Sequence, residues 1–274
     1  MRKILHKIYR SLFPVPVNNL KAEIALTSPS SLLEDRKIAI IGGTRGIGRA
    51  MAEKFVAEGA KVVITGRSKD KAVNAANEIG CSSYALDISN CDDFNPFIAQ
   101  CVEALGALDT LVINAGISLH EGDIINVTPQ QFDSQIATNL RGAYFAAQAF
   151  IKYVMRGNLR STNLLFISSE RGEYVDMLPY GLTKAAMNSL VCGLAKRCIK
   201  LDMRVNAVAP GVTATDLTSY DANSNLYRGD QMNNRIYLPQ EMAEVANFLV
   251  SNVSNCLTGQ IIVCNEGKSI NSYF

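Results

Sequence analysis

Hydrophobic and polar residues follow a repeating order along the chain, in which short apolar runs alternate with longer stretches of helical spacing. The run Lys37–Ile41 predicts a first β-strand. Residues 46–58 then place Ile47, Met51 and Phe55 on one stripe of a predicted helix. Later apolar runs predict strands at 61–65, 84–86, 110–113, 164–167, 205–208 and 260–263, and helical spacing predicts helices at 69–79, 94–105, 129–155, 180–199 and 239–250.

This alternation is typical of βαβ units. It predicts an α/β fold, a single Rossmann-type doubly wound parallel sheet of about seven strands with helices on both faces. Local signals agree with these elements. Ser68 is a predicted N-cap, and Thr128, Pro129 and Gln131 form a predicted capping box at the start of the longest helix.

The pattern divides the chain into an N-terminal amphipathic segment with a linker, residues 1–33, and one predicted Rossmann-fold domain, residues 34–274. Residues 1–13 mix basic and apolar positions and predict a short amphipathic helix that ends at Pro14 and Pro16. Such a helix packs on its own protein or contacts a membrane surface or partner. Residues 17–31 resemble a linker.

Composition excludes several classes of protein. A net charge of +2 is too small to predict a nucleic-acid partner, and no apolar run approaches the roughly 18 residues of a transmembrane span. The seven cysteines form no C-x-x-C pair, and the chain has two histidines, so no metal site is expected. Free cysteines are typical of a reducing compartment, which favours a cytoplasmic location.

A glycine-rich turn joins the first predicted strand to the first predicted helix. In this position Gly42 allows a sharp turn, Gly46 allows backbone amides to approach a pyrophosphate, and Gly48 allows close packing of strand and helix. The position that is acidic in many NAD-binding folds is followed here by Arg67, and Arg45 lies in the glycine loop. Two guanidinium groups favour the 2′-phosphate of NADP(H). The predicted loop is Gly42-Gly43-Thr44-Arg45-Gly46-Ile47-Gly48.

Several further motifs occur in an order that resembles the short-chain dehydrogenase/reductase family, over about 34–267. The spacing of Gly42, Gly46 and Gly48 resembles the single-domain branch of that family, which includes 3-oxoacyl-thioester reductases. The resemblance implies catalytic roles for Asn139, Ser169, Tyr180 and Lys184, and cofactor contacts by Thr44, Ile47, Asp87, Ile88, Asn114, Ala115, Gly116, Pro210, Gly211, Thr213 and Thr215, together with Tyr180 and Lys184.

The spacing of Tyr180 and Lys184 has a chemical reason. Residues four apart lie on one helix face, so the lysine ammonium is expected near both the phenol and the nicotinamide ribose. Lowering the pKa of a phenol to about 7 takes roughly 4 kcal/mol, which a lysine and a cationic nicotinamide would partly supply. Tyr180 is then the acid in carbonyl reduction, Ser169 polarises the substrate oxygen, and the resemblance implies that Asn139 holds a water in a relay with Lys184.

The chain departs from the family pattern at several positions. Ile41 and Ile113 stand where the family has threonine and asparagine, and we interpret them as a paired exchange on neighbouring strands. The interval from Ser169 to Tyr180 is short, so Ser168 is an alternative for the serine role. The loop 170–178 carries Arg171, Glu173, Tyr174 and Asp176, which suit either a polar substrate or solvent, and Asn265-Glu266-Gly267 replaces the usual acidic-glycine ending.

The leading hypothesis is an NADP(H)-dependent reductase of a small-molecule carbonyl substrate, such as a 3-oxoacyl thioester. The alternatives are oxidoreduction of a sugar or polyol, and binding of NADPH without turnover. Residues 217–237 are the expected substrate lid. The resemblance also implies a homodimer or homotetramer built through the long helices near Asn139 and Tyr180.

Overall fold

The computed structural model of the protein describes residues 20–21, 29–220, 223 and 225–270. Within this part, seven strands form one parallel sheet in the order β3-β2-β1-β4-β5-β6-β7. The predicted Rossmann-type sheet is therefore confirmed. The strands are β1 (Lys37–Ile41), β2 (Lys61–Gly66), β3 (Ser82–Ala85), β4 (Thr110–Ile113), β5 (Thr162–Ile167), β6 (Met203–Pro210) and β7 (Ile261–Cys264).

Helices cover both faces of the sheet. Two apolar cores result, one beneath α1, α2 and α7 and the other beneath α3, α5 and α6. The central strands β4 and β5 are buried along their whole length, which explains their continuous apolar runs. The helices are α1 (Gly46–Ala57), α2 (Lys69–Ile79), α3 (Phe94–Leu105), α4 (Pro129–Gln135), α5 (Ala143–Gly157), α6 (Pro179–Cys198) and α7 (Pro239–Val250).

Two predicted elements differ in detail. The third strand, predicted at 84–86, is Ser82–Ala85. It lies at one edge of the sheet, and its two serines gave no apolar signal. The long helix predicted at 129–155 contains a π-helical segment, Ile136–Gly142, between α4 and α5. A π-helical turn carries one extra residue, and such turns are frequent at functional sites.

The predicted caps are present at both helices. The Ser68 hydroxyl accepts a hydrogen bond from the Lys71 amide at 3.4 Å. At α4, Thr128 and Gln131 exchange hydrogen bonds in a capping box, and Pro129 occupies the first helical position. Both helices therefore begin where the polar signals placed them.

Ile41 and Ile113 are directly opposite one another on β1 and β4. Each is 1% exposed. The backbone carbonyl of Ile41 accepts hydrogen bonds from the amides of Asn114 and Ala115, at 3.1 and 2.8 Å. This arrangement agrees with a paired exchange of polar for apolar side chains. The two isoleucines are buried opposite one another, and the backbone carbonyl of Ile41 keeps its hydrogen bonds.

The predicted N-terminal helix, residues 1–13, lies outside the described residues. Of the linker, Leu20, Lys21 and residues 29–31 are described. The buried Glu58 accepts hydrogen bonds from the amides of Ser30 and Leu32, at 2.9 and 3.1 Å. This carboxylate fixes the entry of the chain into β1. Among the described helices, none combines the length and the apolar character needed to cross a membrane.

Candidate active site

A cleft of about 1290 Å³ opens at the carboxyl ends of the strands. In doubly wound sheets ligands bind where the strand order reverses, which here is between β1 and β4. Typical small-molecule pockets measure about 300–1000 Å³. The cleft therefore has room for a dinucleotide and a second ligand together.

Most of the residues that we predicted to be catalytic or to bind the cofactor line this cleft. Gly48 and Asn139 are not on its surface, since both are buried behind it. The selected residues that line the cleft are Gly42, Thr44, Arg45, Gly46, Ile47, Arg67, Asp87, Ile88, Asn114, Ala115, Gly116, Ser169, Tyr180, Lys184, Pro210, Gly211, Thr213 and Thr215.

The glycine loop packs closely on the turn after β4. Gly42 has a φ of +87°, as a sharp turn requires. A Cβ atom on Gly48 would lie 2.0 Å from the Gly42 carbonyl oxygen, and the Asn114 side chain donates to that same oxygen at 2.6 Å. Arg45, the N-cap of α1, makes no side-chain cap bond. The first amides of α1 therefore face the cleft without a capping side chain, and suit an anion such as a pyrophosphate.

Arg67 and Arg45, which we predicted to bind the 2′-phosphate of NADP(H), have different surroundings. Arg67 is exposed and forms no ion pair within the described ranges, although its charge lowers the pKa of Asp87, after the larger effect of hydrogen bonds from Ser89. Arg45 pairs with Asp216 at 2.6 Å. Both partners of that pair are about two-thirds exposed, and exposed ion pairs contribute at most about 1 kcal/mol. A phosphate group can therefore replace Asp216 at Arg45.

The two serines after β5 differ in their partners. The Ser168 hydroxyl donates to the Asn188 side chain at 2.5 Å and is buried. The Ser169 hydroxyl interacts with the Tyr180 hydroxyl and accepts from the Arg171 amide at 3.2 Å. Ser169 is thus the serine adjacent to the tyrosine, whereas Ser168 holds helix α6.

Burial raises the pKa of Tyr180 above its ordinary value. The Ser169 hydroxyl and the Arg171 charge act in the opposite direction but are weaker, and the Glu170 charge raises the pKa further. This direction is opposite to our expectation of a lowered pKa. The chain's own groups therefore keep the phenol protonated at neutral pH.

Lys184 lies on the same face of α6 as Tyr180. Its ammonium is 5.7 Å from the centre of the Tyr180 ring and donates to the Ile167 carbonyl at 2.8 Å. Burial lowers the pKa of Lys184 to about 8. The Asn139 amide is engaged elsewhere, because it exchanges two hydrogen bonds of 2.8 Å with the backbone of Ile117. The Asn139 side chain thus binds the loop after β4, and its role in a water relay stays a prediction.

The lowered pKa of Lys184 predicts a pH-dependent stability. As pH rises above about 8 the folded chain releases this proton while the unfolded chain still holds it, so the free energy of unfolding increases. Between pH 7 and pH 9 wild type should gain about 1 kcal/mol relative to Lys184→Met. Urea unfolding at both pH values measures it. Lys196→Met, an exposed change on α6, is the control, and a constant difference between wild type and Lys184→Met contradicts the prediction.

Charged side chains of the loop 170–178, which we expected to face a polar substrate or solvent, form ion pairs and hydrogen bonds within the protein. Arg171 pairs with Asp176, and Glu173 accepts from Asn188 at 2.6 Å. The unexpected member of the loop is Glu170, a buried carboxylate that lines the cleft and lies close to Lys268. Sequence reasoning missed this pair because nearly a hundred residues separate its members.

Comparisons with known proteins agree with this geometry. A family model described as Enoyl-(Acyl carrier protein) reductase matches residues 42–269. The chain is 32% identical over 256 residues to an L-rhamnose 1-dehydrogenase (NAD(P)(+)) of Azotobacter vinelandii, and the match covers 88% of this chain and 99% of that relative. The N-terminal segment, residues 1–33, precedes the matched family model.

Solved structures share the fold. A 3-ketoacyl-(acyl-carrier-protein) reductase from Brucella melitensis complexed with NADH has a TM-score of 0.80 at 29% identity, covering 87% of this chain and 100% of that one. A short chain dehydrogenase from Burkholderia cenocepacia in complex with NADP has a TM-score of 0.77 at 26% identity, covering 86% and 98%.

Proposed function

Because the chain belongs to the short-chain dehydrogenase/reductase family, we propose that it interconverts a carbonyl group and a secondary alcohol with NADP(H). One observation carries this proposal. Ser169, Tyr180 and Lys184 meet in the same cleft as the glycine loop that follows β1. A proton donor and a dinucleotide site are thereby available to one substrate.

The cleft residues fit a nicotinamide dinucleotide. The uncapped amides of α1 suit its pyrophosphate. A Cβ atom at Gly48 would clash with the Gly42 carbonyl, so glycine at this position allows the close packing of β1 and α1 that dinucleotide-binding folds use. Arg67 and Arg45 would hold a 2′-phosphate, which favours NADP(H) over NAD(H). The remaining cofactor contacts are assigned to the lining residues named above. When bound, the cofactor supplies or accepts the hydride.

Tyr180 is the proposed acid of the reduction. Its raised pKa keeps the phenol neutral, which is the state that donates a proton to the oxygen of the forming alcohol. We assign to the Ser169 hydroxyl, which lowers the pKa of that phenol, the role of holding the same oxygen and stabilising the charge that develops on it. In the reverse direction Tyr180 must first release its proton, so alcohol oxidation should be favoured at higher pH.

Lys184 and Asn139 support this pair in different ways. The Lys184 ammonium lies against the Tyr180 ring, so its charge stabilises the phenolate that remains after proton transfer. Asn139 holds the loop after β4 through Ile117, and a Cβ atom on Gly116 would lie near both Asn139 and Lys184. We assign Asn139 a positioning role for that loop, in addition to its predicted role in the water relay with Lys184.

A substrate screen tests the proposed function. Purified protein with NADPH is offered 3-oxoacyl thioesters, simple ketones and sugar or polyol carbonyls, and NADPH absorbance is followed. Turnover of a carbonyl compound is expected. Tight NADPH binding without turnover of any substrate class would instead favour the non-catalytic alternative.

We further propose a cytoplasmic homodimer or homotetramer that forms through α5 and α6. Tyr144, Phe145 and Leu182 are exposed apolar residues on these helices. Light scattering should therefore report two or four chains, and Phe145→Glu should shift the protein towards monomer, since a charge is costly in an apolar interface. Val73→Glu places the same charge at an exposed position of α2 and should change nothing. A monomeric wild type contradicts this proposal.

A further inference from the structure

Glu170 is a buried carboxylate next to the proposed catalytic residues. It follows Ser169 directly, lines the cleft, and its side chain is 7% exposed. Oε2 accepts hydrogen bonds from the Tyr174 hydroxyl at 3.0 Å and from the Asn265 side chain at 3.1 Å. This oxygen is well bonded within the protein, and the two bonds fix the direction of the carboxylate.

The other oxygen, Oε1, has a more distant partner. The Lys268 ammonium lies 3.9 Å away, which exceeds the usual hydrogen-bond range of about 2.7–3.2 Å. Within the part of the chain that the structure describes, this ammonium donates no hydrogen bond. Lys268 also lines the cleft. The Glu170 carboxylate and the Lys268 ammonium therefore both line the cleft, and each can still form a further hydrogen bond with a ligand.

The other charged side chains on this side of the cleft are paired within the protein. Arg171 bonds to Asp176, and Arg228 bonds to Asp230 through two nitrogens, at 2.6 and 3.0 Å. Their charges are largely neutralised. The incompletely bonded pair beside Ser169 is therefore the Glu170–Lys268 pair.

The chemistry of the pair defines what it can bind. A hydroxyl group donates to the carboxylate and accepts from the ammonium at the same time. A ligand anion would meet Glu170 and a ligand cation would meet Lys268, while an apolar chain would leave both charges without a new partner. A neutral group that both donates and accepts satisfies the pair, and a hydroxyl is the smallest such group.

We propose that Glu170 and Lys268 bind a hydroxyl group of the substrate, so that the enzyme selects neutral hydroxylated carbonyl compounds and the corresponding polyols. This inference rests on the proposed function, because it places the hydroxyl near the carbonyl oxygen held by Ser169. It names the substrate class and the two residues that determine it.

Matched substrates test the selection. Wild type should reduce acetoin with a kcat/KM at least about tenfold above that for 2-butanone, because the second compound lacks the hydroxyl that the charged pair binds. Glu170→Gln and Lys268→Met should bring this ratio close to one. Glu173→Gln makes the same chemical change three residues away, off the cleft surface, and should keep the ratio.

A binding measurement separates this inference from the proposed function. Saturation-transfer NMR compares 2,3-butanediol with 2-butanol, the alcohols that correspond to acetoin and 2-butanone, on the NADP⁺-loaded Tyr180→Phe protein, which needs no turnover. Selective binding of 2,3-butanediol that Glu170→Gln removes supports the site even if no carbonyl compound is reduced. Equal kcat/KM for acetoin and 2-butanone, or equal binding of the two alcohols, overturns it and leaves the proposed function standing wherever turnover is found.

Discussion

Tyr180→Phe is expected to lower kcat/KM for carbonyl reduction about 1000-fold. The change removes one oxygen atom, and with it the proposed proton donor, from a side chain that otherwise keeps its shape. General acid catalysis by a positioned side chain contributes about 10²–10⁴-fold, which sets this magnitude. The measurement is steady-state NADPH oxidation with the best substrate from the screen.

Two controls make this result specific. The dissociation constant of NADPH, followed by fluorescence, should change by less than about threefold, since the hydroxyl acts in proton transfer and contributes little to ground-state binding. Tyr84→Phe removes a tyrosine hydroxyl that donates to the Gln100 carbonyl and does not line the cleft, and this variant should retain activity. A fully active Tyr180→Phe protein would show that the proton comes from another group.

Arg67→Asp is expected to weaken NADPH binding about 100-fold while NADH binding is unchanged or tighter. The guanidinium at the end of β2 is exposed and unpaired within the described ranges, so it is free to bond a 2′-phosphate, and an aspartate there would repel that group. The same carboxylate can accept a hydrogen bond from the ribose 2′-hydroxyl of NADH. Fluorescence titration with both cofactors measures the two effects.

The matched control for this prediction is Lys69→Asp. It makes the same change in net charge two residues further along, at an exposed position of α2 that does not line the cleft. A long-range charge effect would appear in both variants, whereas a direct contact appears in Arg67→Asp alone. Equal affinity of wild type for NADPH and NADH would contradict the proposed preference.

Periodicity and turn chemistry predicted most of the fold. The strands of the sheet were found because central parallel strands are buried on both faces and read as continuous apolar runs. The edge strand β3 was displaced because Ser82 and Ser83 carry no such signal. The π-helical segment around Asn139 was not foreseen, since one extra residue in a turn does not disturb a helical pattern enough to be read.

The site was predicted less completely than the fold. The order of the motifs predicted that Ser169, Tyr180 and Lys184 share one cleft, because the carboxyl ends of parallel strands meet at one edge of the sheet. The structure has all three residues in that cleft. The partners of these residues depend on tertiary packing. The Arg45–Asp216 and Glu170–Lys268 pairs join distant parts of the chain, and the raised pKa of Tyr180 follows from burial, which spacing alone does not report.

A crystal structure of the full chain with NADP⁺ and acetoin tests the central claim most directly. We predict the Tyr180 hydroxyl within hydrogen-bond distance of the acetoin carbonyl oxygen, beside the nicotinamide ring, with the Ser169 hydroxyl on the same oxygen. A Tyr180 hydroxyl that points away from the nicotinamide, with the substrate oxygen bonded to other groups, would contradict the proposed role of this residue and the enzymatic function built on it.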